Sequence, residues 1–220
     1  MRTLRGLAIA LAILALIPQV GGAQLGRRFE NAWFWGAKGG LLVYSTVSAA
    51  NQVAPVFGAE WVITRRRGGL YVSFDHAIMT ETGQYLNGDL LPDTVIADME
   101  LKDIRRYNMA AMIFPDLGRW VRPYLGLGAS LTQIASARNR APYSSTNEEA
   151  STEGLISDYK ATLSPLTIAG VQLRLPLASV FAQATAMATP QRFFLRGGNT
   201  FTYSLEAGLR YNIGSSIDRQ

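Results

Sequence analysis

The chain has 220 residues, 48% of them hydrophobic and 17% charged, with a formal net charge of +5 and no cysteine. That charge is too small to argue for nucleic acid, and without cysteine there are no disulfides and no thiolate metal sites. The length suits one domain, and past the N-terminus no apolar run approaches the roughly 18 residues of a membrane-crossing helix.

At the N-terminus, Arg2 and Arg5 precede the apolar run Gly6–Ile17, Pro18 breaks it, and Gly21, Gly22 and Ala23 follow. This is the charged, apolar and small-residue order of a secretory signal peptide. The run, about 12 residues, is too short to cross a membrane as a helix. Residues 1–23 are expected to be removed, leaving 24–220 as the folded domain with a net charge of +3.

In the remainder, stretches of alternating apolar and polar residues follow one another. Such alternation gives a strand one apolar and one polar face. Strand one is expected at about Trp33–Ser45, with Trp33, Trp35, Ala37, Leu41 and Val43 opposite Gly36, Lys38, Gly40 and Tyr44. Strand two, Val53–Thr64, sets Phe57, Ala59, Trp61 and Ile63 against Gly58, Glu60 and Thr64. The turn Arg65–Gly69 leads to strand three, Leu70–Ile78, where Leu70, Val72 and Phe74 oppose Tyr71, Ser73 and Asp75. A long polar connection, Met79–Leu101, precedes strand four, Lys102–Phe114, whose alternation is weaker. Pro115–Arg119 has the Pro and Gly of a turn. Strand five, Trp120–Ile134, places Val121, Leu125, Leu127, Ala129 and Leu131 opposite Arg122, Tyr124, Ser130 and Thr132. A second polar connection, Ala135–Ala161, leads to strand six, Thr162–Leu175, then a turn at 175–179 and strand seven, Val180–Thr189.

After a loop at Pro190–Asn199, the last strand, Phe201–Ile213, alternates without a break over 13 residues. Soluble strands usually have five or six residues, and a tilted crossing of a bilayer takes about 9–11. Eight strands with alternating tight turns and longer loops predict an all-β fold: a transmembrane, antiparallel, up-and-down β-barrel. A soluble eight-stranded barrel has the same topology with its faces reversed. The tryptophans separate the two. Trp33, Trp35, Trp61 and Trp120, with Tyr211, all fall at the strand ends on the side of the tight turns. Aromatics with a polar handle gather at membrane interfaces, which predicts a periplasmic girdle there. The polar face then points inward. It carries Lys38, Glu60, Asp75, Arg122, Glu206 and Arg210, three acids against three bases, in an interior just wide enough for side chains. The expectation is a lumen filled by paired charges. The alternative is a narrow channel or transporter for ions or small apolar solutes.

This pattern resembles the eight-stranded outer-membrane barrels of the OmpA/OmpX type over about Asn31 to Gly214. The last strand of that family carries an assembly signal, which Glu206, Gly208, Tyr211 and Ile213 match here. The resemblance implies insertion by the barrel-assembly machinery of a Gram-negative outer membrane. It also implies contact with outer-membrane lipid and lipopolysaccharide, both termini in the periplasm and long loops outside the cell.

No cofactor is expected, since the Gly126-Leu127-Gly128 run lacks the following helix of a dinucleotide site. Some small outer-membrane barrels modify lipid A with His and Ser, which leaves lipid A modification as a remote alternative. Here Ile78 stands two residues after His76 where that pattern has Ser, and Ser73 and Asp75 fall on the opposite face. The expectation is therefore a non-enzyme. The acids Asp89, Asp93, Asp98 and Glu100 lie close together but fit no calcium loop, and Arg65–Arg67 form a basic cap on a turn.

Overall fold

The computed structural model describes residues 31–86, 96–115, 121–140, 142–143, 146–175, 178–190, 193–195 and 200–215. The expected signal peptide, Trp120 of the girdle, Asp89 and Asp93 lie outside the described residues. Eight strands close into one barrel in sequence order, every neighbour antiparallel. They are β1 (Ala32–Tyr44), β2 (Gln52–Arg65), β3 (Gly68–Leu86), β4 (Ile96–Ile113), β5 (Val121–Asn139), β6 (Ala161–Arg174), β7 (Ala178–Ala188) and β8 (Phe201–Ser215). β1 closes on β8 with Trp35 opposite Tyr211, Lys38 opposite Gly208 and Val43 opposite Tyr203. No sheet edge is left unpaired, as a spanning sheet requires.

The apolar faces point outward. Leu127 and Leu163 are each 69% exposed and Leu205 64%, whereas Lys38, Asp75 and Arg210 are buried. A soluble barrel of this topology would reverse that arrangement. Exposed aliphatic and aromatic side chains on all eight strands make a continuous outer belt of the kind that lipid covers.

β3 and β4 are longer than expected. The stretch 79–101, read as a loop, supplies the upper part of a hairpin that pairs Thr80 with Lys102 and Leu86 with Ile96. The register shifts between Ala77 and Thr80, where Asp103 opposes two residues of β3. Asp103 has a φ of 53°, and its Oδ1 accepts a hydrogen bond from the Met79 amide at 3.3 Å. This β-bulge inverts the facing of β4: Ile104, Arg106 and Asn108 point inward below it, Leu101 and Met99 above it. Below the bulge 104–114 keep one phase, and the alternation of strand four is weak because its inward positions Ile104, Ala110, Met112 and Phe114 are apolar while Arg105 faces outward.

Part of the second polar connection is a helix, α1 (Thr146–Tyr159). Glu148 and Glu149 sit in its first turn, where the helix dipole favours acids. Leu155 is buried, and Ile156 and Tyr159 pack against the barrel's loop-end core. There Phe193, Phe194 and Leu195, from the β7–β8 loop, are all buried. The Phe194 amide donates to the Tyr159 carbonyl at 3.2 Å, and the Tyr85 hydroxyl reaches the Phe194 carbonyl at 3.5 Å. The Tyr85 ring meets Phe194 edge-on at 4.7 Å. Tyr85 lies well past the apolar belt, and burial pushes its phenol above the ordinary value, with Glu81 adding to the effect, so it remains a neutral donor. α1 and this segment together cap the loop end of the barrel.

Candidate functional site

The barrel interior is built in layers. Toward the tight turns Phe34, Val62, Met112, Phe114 and Phe181 are buried, beside Thr64, Ser179 and Asn212. Toward the loops Leu42, Val56, Ile104, Ile134 and Met187 are buried beneath the cap, beside hydroxyls that include Thr132, Ser164, Thr189 and Thr202. Between them lies a charged layer made of inward positions on β1, β2, β3, β4 and β8.

Three acids and three bases are buried among the described residues: Glu60, Asp75 and Glu206 against Lys38, Arg106 and Arg210. The Lys38 ammonium lies 2.5 Å from Glu206 Oε2 and 2.8 Å from Asp75 Oδ1. The contact with Asp75 is a charge contact, because its angle does not suit a hydrogen bond. Arg106 Nη2 bridges the same two acids, at 3.0 Å from Asp75 Oδ2 and 2.7 Å from Glu206 Oε1. Arg210 pairs with Glu60 through Nε. Its Nη1 donates to Gln172 Oε1 at 2.8 Å, and its guanidinium lies 4.0 Å from the Phe181 ring centre.

Neutral side chains join the two charge groups. Gln183 donates from Nε2 to Glu206 at 3.0 Å and to the Tyr71 hydroxyl at 3.1 Å, and its Oε1 accepts from the Tyr124 hydroxyl at 2.9 Å. Lys38 also donates to the Tyr71 hydroxyl at 2.9 Å. Asn108 donates to Asp75 at 2.7 Å and to Ser73 at 2.9 Å, and Ser204 donates to Glu206 at 2.7 Å. Buried charges are tolerable only when paired and hydrogen-bonded; in this layer each of the six has an ion pair and at least one hydrogen bond, while Glu60 Oε2, Asp75 Oδ1 and Arg106 Nε accept or donate none. Its charges sum to zero.

The six charged positions expected from the sequence are thus divided. Lys38, Glu60, Asp75, Glu206 and Arg210 lie in the layer. Arg122 points to the interior side but is only half-buried, near the turn end of β5, and forms none of these ion pairs. Arg106, absent from the expected set, bridges the centre. Its inward phase is hidden in the sequence because Ile104, Ala110 and Met112 on the same face are apolar and the adjacent Arg105 faces outward.

Little free space remains. A gap lined by Arg106, Thr132, Ser164, Met187, Phe193 and Leu195 holds about 10 Å³, room for about one water.

Of the girdle residues, Trp33, Trp35 and Trp61 form one cluster. Trp61 stacks on Trp35 at 5.2 Å and meets Trp33 edge-on at 5.4 Å. Tyr211 stands opposite Trp35 on β8 with its ring outward. In the expected assembly signal, Tyr211 and Ile213 face outward and Glu206 inward. Gly208 packs where a Cβ would meet Lys38 Cα and the Phe181 ring, both at 2.9 Å.

His76 faces outward, 3.7 Å from Asp103, while Ser73 is buried inside, so the wall of the barrel separates the two. Asp98 pairs with Arg140 at 3.5 Å and Glu100 with Lys102 at 3.1 Å.

In sequence, the chain matches no protein family and no curated protein. In fold, it is similar to solved outer-membrane proteins. Neisserial surface protein A superposes with a TM-score of 0.56 at 14% identity, over 82% of this chain and 97% of that one. Ail, the attachment invasion locus protein of Yersinia pestis, gives 0.47 at 12% identity, over 84% of this chain and 100% of its own. OprG from Pseudomonas aeruginosa gives 0.38 at 14% identity, over 83% and 94%. The chain has the fold of the eight-stranded outer-membrane β-barrels.

Proposed function

We propose that this chain is an integral outer-membrane protein whose barrel is a sealed anchor, presenting its loop-end segments for interaction at the cell surface. The single observation that carries this reading is the charge-balanced layer of six buried ionic side chains, which lies across the barrel between two levels of buried, bulky side chains. A conducting lumen needs a continuous wet path, and here the charges serve one another. The surface role rests on what the loop end carries, helix α1 and the segment Phe193–Leu195, because exposed segments on a rigid scaffold are where recognition concentrates. In this reading the tight turns face the periplasm, outer-membrane lipid and lipopolysaccharide surround the belt, and the barrel-assembly machinery reads Glu206, Gly208, Tyr211 and Ile213. The role is non-enzymatic, and the separation of Ser73 from His76 supports that.

Planar-bilayer recording of the refolded protein tests the seal. The expected result is no steady channel. Large, steady, porin-like openings would replace the anchor with a transport barrel.

A further inference from the structure

On the outer wall, β1 to β6 line an open cleft of about 480 Å³ within the apolar belt. Its walls are Trp35, Trp61, Phe74, Tyr107, Leu131 and Leu163, and its floor includes Ala59 and Ala129. Phe74 and Tyr107 hold each other at 5.1 Å between ring centres and make a firm wall. The volume is that of a small-molecule site, and nearly all of its lining is apolar.

The cleft has a polar upper edge. On three adjacent strands the outward residue next to the cleft on its loop side is polar: His76 on β3, Arg105 opposite it on β4 and Gln133 opposite that on β5. Arg105 is two residues from Tyr107 on the same face of β4 and is exposed. The other charges near it are engaged. Asp103 faces His76 at 3.7 Å and accepts the Met79 amide, and Lys102 pairs with Glu100 at 3.1 Å. Arg105 is the rim cation with no acid against it among the described residues.

We propose that the cleft and Arg105 form a binding site for a phosphate-bearing lipid of the surrounding leaflet, with an acyl chain in the cleft and the phosphate on the guanidinium. An apolar cleft within the belt takes hydrocarbon, and the planar fork of arginine suits phosphate oxygens. A free phosphate ion would leave the cleft unfilled, so the ligand is a lipid. This inference rests on the membrane embedding proposed above, and the experiment separates the two.

The Trp33→Phe/Trp120→Phe variant leaves Trp35 and Trp61 as the only tryptophans, both in the cleft wall. It is refolded into phosphatidylcholine vesicles holding a small fraction of brominated phosphatidylglycerol or, separately, brominated phosphatidylcholine. Bromine quenches tryptophan on contact. The acidic lipid is expected to quench about fivefold more effectively per molecule, the factor for one arginine at a membrane surface. Arg105→Gln should remove that preference. Arg138→Gln, which removes an exposed charge further from the cleft, should keep it. Ala59→Leu, filling the floor, should reduce quenching by both lipids. Heat-shifted migration in SDS verifies that each variant is folded, and Ala59→Leu carries the test should Arg105→Gln not fold. Equal quenching by the two lipids, an Arg138→Gln loss as large as that of Arg105→Gln, or unchanged quenching in Ala59→Leu would overturn the site. If vesicles made wholly of brominated phosphatidylcholine do not quench at all, the embedding itself fails.

Discussion

Arg106 is the residue whose removal should cost most. Its guanidinium holds Asp75 and Glu206 together, and among the described residues Lys38 is the other base that touches these acids. Arg106→Ala leaves two carboxylates sharing one ammonium inside the barrel. Breaking a buried pair in this way costs about 3–5 kcal/mol. Urea unfolding of the refolded protein in detergent should show that loss, and Arg122→Ala a clearly smaller one. Equal losses would mean that Arg106 is not central to the layer. The two arginines also mark how far the sequence could be read. Strict alternation places Lys38, Glu60, Asp75, Glu206 and Arg210 on inward faces, because their strands keep one phase throughout the membrane. Arg122 shares the inward phase, but phase says nothing about height, and it lies near the strand end where burial is partial. Arg106 could not be assigned, since its face also carries apolar Ile104, Ala110 and Met112 and its neighbour Arg105 faces outward, so polarity does not tell the two faces apart.

At the scale of elements, the bulge and the closing strand each make a claim. Asp103 holds a left-handed φ of 53° and binds the Met79 amide through its carboxylate. A β-branched residue there would meet the left-handed penalty, roughly 1–2 kcal/mol, and lose the hydrogen bond, about 1 kcal/mol more. Asp103→Val should therefore lower stability by about 2–3 kcal/mol, and Asp103→Gly by less, since glycine takes that φ freely. Matched unfolding curves of the two variants test this, and a valine variant as stable as the parent would remove the bulge from the account. On β8, Tyr211 points to the interface, where a charge costs up to about 1 kcal/mol. Tyr211→Asp should refold almost normally in detergent, yet insert poorly in cells if the signal is read during assembly. Parent-like insertion in cells would end that reading. The eight strands were legible because lipid on one face and a packed lumen on the other impose a strict period of two. The helix α1 was not, because its composition is polar and only Thr152 and Leu155 are buried. The upper β3–β4 hairpin was missed for a related reason: beyond the belt neither face must be apolar, so the alternation fades while the ladder continues.

For the whole molecule, the closures act in series. The cap of Phe193, Phe194 and Leu195 lies at the loop end, the charged layer at mid-height, and Phe34, Met112, Phe114 and Phe181 below it. A single variant at one level therefore leaves two barriers in place. Phe193→Ala/Leu195→Ala should widen the small gap above Arg106, which now holds about 10 Å³, and admit water there. Amide hydrogen exchange should then accelerate at the loop-end residues of β7 and β8. The single-channel current should stay at the level of the intact barrel, because the paired charges and the bulky side chains below them remain. Heat-shifted migration in SDS should persist, since strand closure does not depend on the cap. Steady conductance in this variant would show that the cap alone closes the lumen, and the charged layer would then be the lining of a pore.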